Sequence, residues 1–301
     1  MGVLPGESLR AYDRGVSDLR PRRRPDAVQR RRRTVVIASV IGGVVIIALV
    51  AAIVVLAPKG EPTAAPSPSA TRSATATPSA TPTPSPTPTP TPTPTFDKTA
   101  LSIDDPASIW LVVDKLRPLN PADYEAPDLT EVNMPYVADY VPYLRAEAAA
   151  ALEQMLAAFT AESGGRTMSN QSSYRPYSSQ ERVYAGWVAT YGQEGADLTS
   201  ARPGYSEHQT GLAIDLSADD ATCSLDQCFA DTVQGQWLAA NSWQYGFILR
   251  YPNGYTPITG YEFEPWHYRY VGVALATEMH NTGVMTLEEF FGLPAAPTYA
   301  G

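Results

Sequence analysis

The chain has 301 residues and a formal net charge of −9, with 22 basic and 31 acidic side chains spread very unevenly along it. Ten arginines and only four acidic residues precede residue 34, so the remainder carries 12 basic and 27 acidic side chains and sits near −15. A body this acidic excludes nucleic acid as its partner, and the composition of the first third leaves sequence for one globular domain.

Residues 1–33 are polar, rich in Arg and without apolar periodicity, which predicts a disordered tail. Residues 34–57 follow as 24 positions without a charge. At about 1.5 Å per residue they are long enough to cross a roughly 30 Å hydrocarbon core. The run is too long, and too far from residue 1, for a cleaved signal peptide, whose apolar region is about 7–15 residues. The arginines at 30–33 abut this run, and the positive-inside rule then puts the N-terminus in the cytoplasm and everything beyond the span outside the cell membrane. Those arginines read as a topology signal that also touches anionic lipid. Residues 58–95 are a Pro, Thr, Ser and Ala tract ending in repeated Thr-Pro. Such a tract favours extended polyproline II, a stalk of up to about 100 Å at about 3.1 Å per residue, with the composition of O-glycosylated stalks.

The globular domain is expected over 96–301. Ile109, Trp110, Leu111, Val112 and Val113 form an apolar stretch that predicts a short buried element. Pro118, Pro121, Pro127 and Pro135 then forbid long helices and predict an extended arm. A helix is predicted over 142–162, with Leu144, Ala148, Ala151, Leu152, Met155 and Phe159 on one stripe and Gly164 past its end. A strand over 167–174 ends at Arg175-Pro176. Ser178 and Glu181 match a capping box for a second helix reaching about residue 191, with Val183, Trp187 and Val188 facing inward. A third helix over 232–245 stops at Gly246. Strands over 247–251 and 261–271 flank a loop at 256–260, and a last helix over 273–281 ends before Gly283. Helices and strands mix without a βαβ rhythm, so the expected class is α+β, a small antiparallel sheet with flanking helices. Cys223 and Cys228, in an exported domain, predict a disulfide closing a small loop.

Chemistry concentrates between Ser206 and Asp215. A turn at Gln209-Thr210-Gly211 leads into a short strand in which Leu212, Ile214 and Leu216 share one face, leaving Ala213 and Asp215 on the other. The turn can fold His208 back over Asp215, with Gly211 supplying the freedom to do so. His267, in the later Glu264-Pro265-Trp266-His267, supplies a third ligand. Two His and one carboxylate leave zinc's fourth position open to water, the arrangement of a catalytic site, one ion per domain. Glu264 would be the base. Positions i and i+3 of a strand point to opposite faces, so Glu264 and His267 converge only if the backbone bends, and Pro265 is where it would. His280 reads as helix surface, and Trp237, Trp243 and Trp266 as core aromatics.

These two motifs, Ser-x-His-x-x-Gly-x-Ala-x-Asp at 206–215 and Glu-x-x-His at 264–267, resemble those of the VanY-type zinc D,D- and L,D-carboxypeptidases of bacterial cell walls. The resemblance extends over about 112–293 through the arm from Val113 to Pro121, the segment Ser173-Tyr174-Arg175 with Gln180, and the tail Tyr270-Val271-Gly272 with Leu287 to Phe290. It implies His208, Asp215 and His267 as zinc ligands, Glu264 as general base and Arg175 facing the polarised carbonyl. Gln180, Ser206 and Tyr174 would hold the substrate's end. Pro176 departs from the Ser usual after this Arg and implies a stiffer backbone there. The expected protein is a membrane-anchored zinc carboxypeptidase that removes the C-terminal D-Ala from peptidoglycan stem peptides at the wall. Two other readings are a non-catalytic peptidoglycan-binding module of the same fold, against which stand Glu264 and the intact ligand set, and an endolysin-like endopeptidase, against which stands the membrane span.

Overall fold

The computed structural model describes residues 96–137 and 141–300; the tail, apolar run and stalk expected at 1–33, 34–57 and 58–95 lie outside the described residues. Among the described residues no helix is long and apolar enough to cross a membrane. The elements are β1 (Leu129–Glu131), β2 (Tyr143–Arg145), α1 (Ala146–Glu162), β3 (Met168–Ser172), α2 (Tyr177–Thr199), β4 (Ala213–Ala218), α3 (Val233–Asn241), β5 (Phe247–Leu249), α4 (Thr256–Thr259), β6 (His267–Tyr270), α5 (Val273–Thr282) and α6 (Leu287–Phe291). β1 and β2 form a two-stranded ribbon, and the main sheet is antiparallel with strand order β3-β4-β6-β5. The class is α+β.

The register of the main sheet sets out the site. Asp215 pairs with Ser172 on one side and with His267 on the other, and the Arg250 N–H continues the row by donating to the His267 carbonyl. Alternation along each strand then separates two faces. Ile214, Leu216, Tyr268, Tyr270 and Phe247 pack against Leu152, Met155 and Phe159 of α1 and Leu238 of α3. The opposite face carries Asp215, His267, Arg269 and Arg250. It is closed by a second apolar cluster in which Trp110 and Val112 of the apolar stretch 109–113 meet Leu275 and Met279 of α5 and Leu287 and Phe290 of α6.

Several elements depart from the sequence expectations. The helix predicted from 142 begins at Ala146, because residues 143–145 are drawn into pairing with β1. α2 begins after Pro176 without a side-chain cap, so Ser178 and Glu181 lie inside it and form no capping box. It also runs on to Thr199 through a break at Gly192, where φ is 70°. Val183, Trp187 and Val188 are only half-buried, since α2 meets the body through Ser179 and Gln180 at its start and Ala196 near its end. The segment 256–260 holds a short helix in place of a loop, started by Pro257 within its first turn. The strand expected over 261–271 forms only from His267. Cys223 and Cys228 are joined.

Candidate metal centre

His208 lies on a short 3-10 turn, Glu207–Thr210, that precedes β4. The turn is closed by Gly211 at φ 68°, where an added Cβ would come within 2.9 Å of Leu129 and 3.1 Å of the Arg145 side chain. The left-handed conformation and the close neighbours together favour glycine there. The Gly211 carbonyl accepts from the Arg145 N–H at 2.8 Å, and the Gln209 amide donates to the carbonyls of Ala122 and Tyr124, so the turn is fixed between β2 and the arm. Arg175 donates its backbone N–H to the His208 carbonyl.

The side chains of His208, Asp215 and His267 each offer one ligand atom to a group within 4.8 Å, and all three are buried. His208 places Nδ1 2.7 Å from the Ser173 carbonyl. A carbonyl only accepts, so the proton is on Nδ1 and the Nε2 lone pair is turned toward Asp215 Oδ2 at 3.2 Å. Burial lowers the His208 pKa, against the pull of Asp215, so the ring is held neutral. Two acceptors facing each other at this distance is a geometry that a cation between them satisfies. On the other side of Asp215, Oδ1 lies 3.0 Å from His267 Nδ1. Tetrahedral zinc bonds of about 2.0–2.1 Å place neighbouring ligand atoms roughly 3.3 Å apart, a spacing that His208 and His267 each meet against one of the two Asp215 oxygens. Two imidazoles with a carboxylate are donors that suit zinc.

The electrostatics follow from burial and proximity. Burial would raise the Asp215 carboxyl, but the charged His267 ring bonded to Oδ1 holds it well below the usual carboxylate range. Burial would lower His267, but its bonds to Asp215 and Glu207 lift it to about 9. Glu264 is pushed up to about 8 by enclosure, which His267 offsets only in part. Its Oε2 stands 3.9 Å from His267 Nδ1, and its side chain keeps 12% exposure. The bend expected at Pro265 is a tight turn in which the His267 N–H donates to the Glu264 carbonyl, immediately before β6 starts. With no strand between them, the two side chains converge.

Arg175 is tied by Nε to Gln180 Oε1 at 2.6 Å and by Nη1 to Ser172 Oγ at 2.7 Å. Ser172 is the residue paired with Asp215, so the arginine is anchored to the same row as the ligands. Gln180 is fully buried, and its amide nitrogen donates to Ala201 O at 2.6 Å and Ser200 Oγ. It therefore stands behind Arg175 as a support. Tyr174 and Ser206 are each 2% exposed. Tyr174 is held by its backbone to the Tyr143 carbonyl, and burial raises its hydroxyl.

Sequence reasoning missed Glu207. Its carboxylate touches His267 Nε2 at 3.2 Å and both Arg250 and Arg269. Burial would raise it, but the two guanidinium groups outweigh burial and hold it well below the carboxylate range. The available signal was indirect. Arg250 and Arg269 each end or interrupt an apolar strand, and a charge in that position needs a buried partner.

A family model for D-alanyl-D-alanine carboxypeptidase, VanY, matches residues 141–273. The protein YodJ of Bacillus subtilis (strain 168) is 38% identical over 193 residues, which are 63% of this chain and 69% of that protein. The structure of the LdcB LD-carboxypeptidase superposes with a TM-score of 0.57 at 38% identity, covering 62% of this chain and 87% of that one. A variant of the vancomycin-resistance D,D-pentapeptidase VanY, solved in complex with Zn(II), superposes with a TM-score of 0.50 at 32% identity, covering 61% of this chain and 98% of that one.

Proposed function

This chain belongs to the VanY family of D-alanyl-D-alanine carboxypeptidases, and from that premise we propose that it is a zinc carboxypeptidase removing the C-terminal D-Ala from peptidoglycan stem peptides. The observation that carries the reading is the convergence of His208 Nε2, the Asp215 carboxylate and His267 Nδ1, three buried ligand atoms within 4.8 Å of one another. Zinc held by these three residues would act as a Lewis acid and lower the pKa of a bound water to about 7.

Glu264 lies beside the ligand cluster and keeps a path to solvent, which suits a group that takes a proton from the attacking water and passes it to the leaving amine. Arg175, fixed by Ser172 and Gln180, would hold charge on the carbonyl oxygen as it develops. Ser206 and the main-chain donors of its turn are the groups proposed to meet the substrate's free carboxylate, since hydrogen bonds to a charged group are about twice as strong as neutral ones. The apolar run at 34–57 would anchor the chain in the cell membrane. The stalk would then carry the domain outward to the wall.

Incubating the full chain with defined tetrapeptide and pentapeptide stems, with and without a chelator, tests this by mass spectrometry of the products. Loss of one D-Ala from the C-terminus, abolished by the chelator, is expected. Uncut stems, or fragments cut only at internal bonds, would contradict it. Which of the two stems is cut separates D,D from L,D cleavage.

A further inference from the structure

We propose that Glu207 is a positioning residue that decides which nitrogen His267 turns to the metal, an inference that rests on the zinc site described above. His267 lies between two carboxylates, with Nε2 3.2 Å from Glu207 Oε2 and Nδ1 3.0 Å from Asp215 Oδ1. A carboxylate only accepts, so the Glu207 contact requires a proton on Nε2. Nδ1, 3.0 Å from Asp215 Oδ1, needs a proton by the same rule while no metal is bound. Because Glu207 keeps the proton on Nε2, Nδ1 is the nitrogen that gives its proton up to a metal, on the side of Asp215 and Glu264. His208 has the reverse tautomer, set by the neutral Ser173 carbonyl. The two ligand histidines therefore use different nitrogens, one ordered by the main chain and the other by a charge.

Glu207 cannot swing away from this duty. Its Oε1 accepts from Arg250 Nε at 2.8 Å and from Arg269 Nη1 at 2.9 Å. Arg250 in turn makes a two-pronged pair with Glu288 of α6, at 3.0 and 2.7 Å. Arg269 also donates to the Ile109 and Leu111 carbonyls of the apolar stretch that precedes the arm. Glu207, Arg250, Arg269 and Glu288 are each at most 2% exposed. Two arginines balance two glutamates, so the chain of charges closes without solvent. It reaches from His267 to the stretch 109–113 and to α6, both outside residues 141–273 of the family match. Carboxylate partners of this kind fix ring orientation and raise the basicity of a metal-binding imidazole.

Glu207→Gln is a pointed test because the amide has a single acceptor. Arg250 and Arg269 both donate on the Oε1 side and would claim the oxygen, which leaves the NH₂ group facing His267 Nε2. That nitrogen must then accept, and the ring proton moves to Nδ1, where the metal has to bind. Zinc competition against a calibrated chelator, on the full chain, is expected to show a loss of affinity of about 10–100-fold in Glu207→Gln. Glu288→Gln perturbs the same buried chain without touching His267 and should keep wild-type affinity. A second measurement needs no variant: ¹⁵N-histidine NMR of the zinc-loaded wild type, tractable with only three histidines. It should find His267 protonated at Nε2 and bound through Nδ1, with His208 the opposite. Equal affinities of wild type and Glu207→Gln, an equal loss in Glu288→Gln, or His267 bound through Nε2 would each overturn the proposal. A wild type that takes up no zinc would instead overturn the metal site on which it rests.

Discussion

The two faces of the main sheet are one residue apart along each strand and both largely buried, yet they are built on different terms. Ile214, Leu216 and Tyr268 on one face and Arg269, Arg250 and Glu207 on the other are all at most 2% exposed. The apolar face gains roughly 25 cal/mol for each Å² it removes from water, and asks only for suitable volume from its neighbours. On the polar face burial is a cost, offset only because each group has specific partners: Asp215 between two histidines, His267 between two carboxylates, Glu207 between two arginines. The apolar face should therefore tolerate change in proportion to volume. The polar face should fail abruptly when one partner goes.

The largest effect should come from His267→Ala. Two remaining ligands hold a metal poorly, so zinc and hydrolysis should be lost together, measured as metal content after gel filtration and D-Ala release. Metal retained at wild-type level would remove His267 from the ligand set. Arg175→Ala comes next. It should keep its zinc while kcat falls by about 10²–10³, the usual cost of one lost donor to a developing oxyanion. Loss of zinc in that variant would mean that Arg175 holds up the ligand row through Ser172 and takes no part in the chemistry. The smallest effect should be Ile214→Val on the apolar face, about 0.5–1.5 kcal/mol in denaturant unfolding with zinc affinity unchanged. A change in zinc affinity there would show that the faces are coupled and spoil the contrast.

Much of this division was legible in sequence, because alternation is a local property. Leu212, Ile214 and Leu216 could be set against Asp215 from five residues of pattern, and the Gly211 turn that returns His208 to Asp215 is equally local. The shape of the Glu264 turn was legible only as a need for a bend at Pro265. That β6 starts at His267 depends on where β4 and β5 supply partners, which is not local. Glu207 was hidden for a similar reason. Its neighbours in sequence say nothing of Arg250 and Arg269, which lie 43 and 62 residues away and meet it only through the β4-β6-β5 order. Gln180 shows the converse. Its place in the family segment was plain, but its support of Arg175 depends on Ser200 and Ala201 closing over it.

The central claim is that this face holds zinc with three residues and uses a fourth, Glu264, only as a base. Measuring zinc content and D-Ala release side by side in Glu264→Gln tests it most directly. The amide keeps the size of the side chain beside His267 but cannot accept a proton, so zinc should remain at one ion per chain while hydrolysis disappears. Near-normal D-Ala release with zinc in place would assign the base to another group. Loss of zinc along with activity would make Glu264 a ligand, contradicting the division of roles proposed for the site.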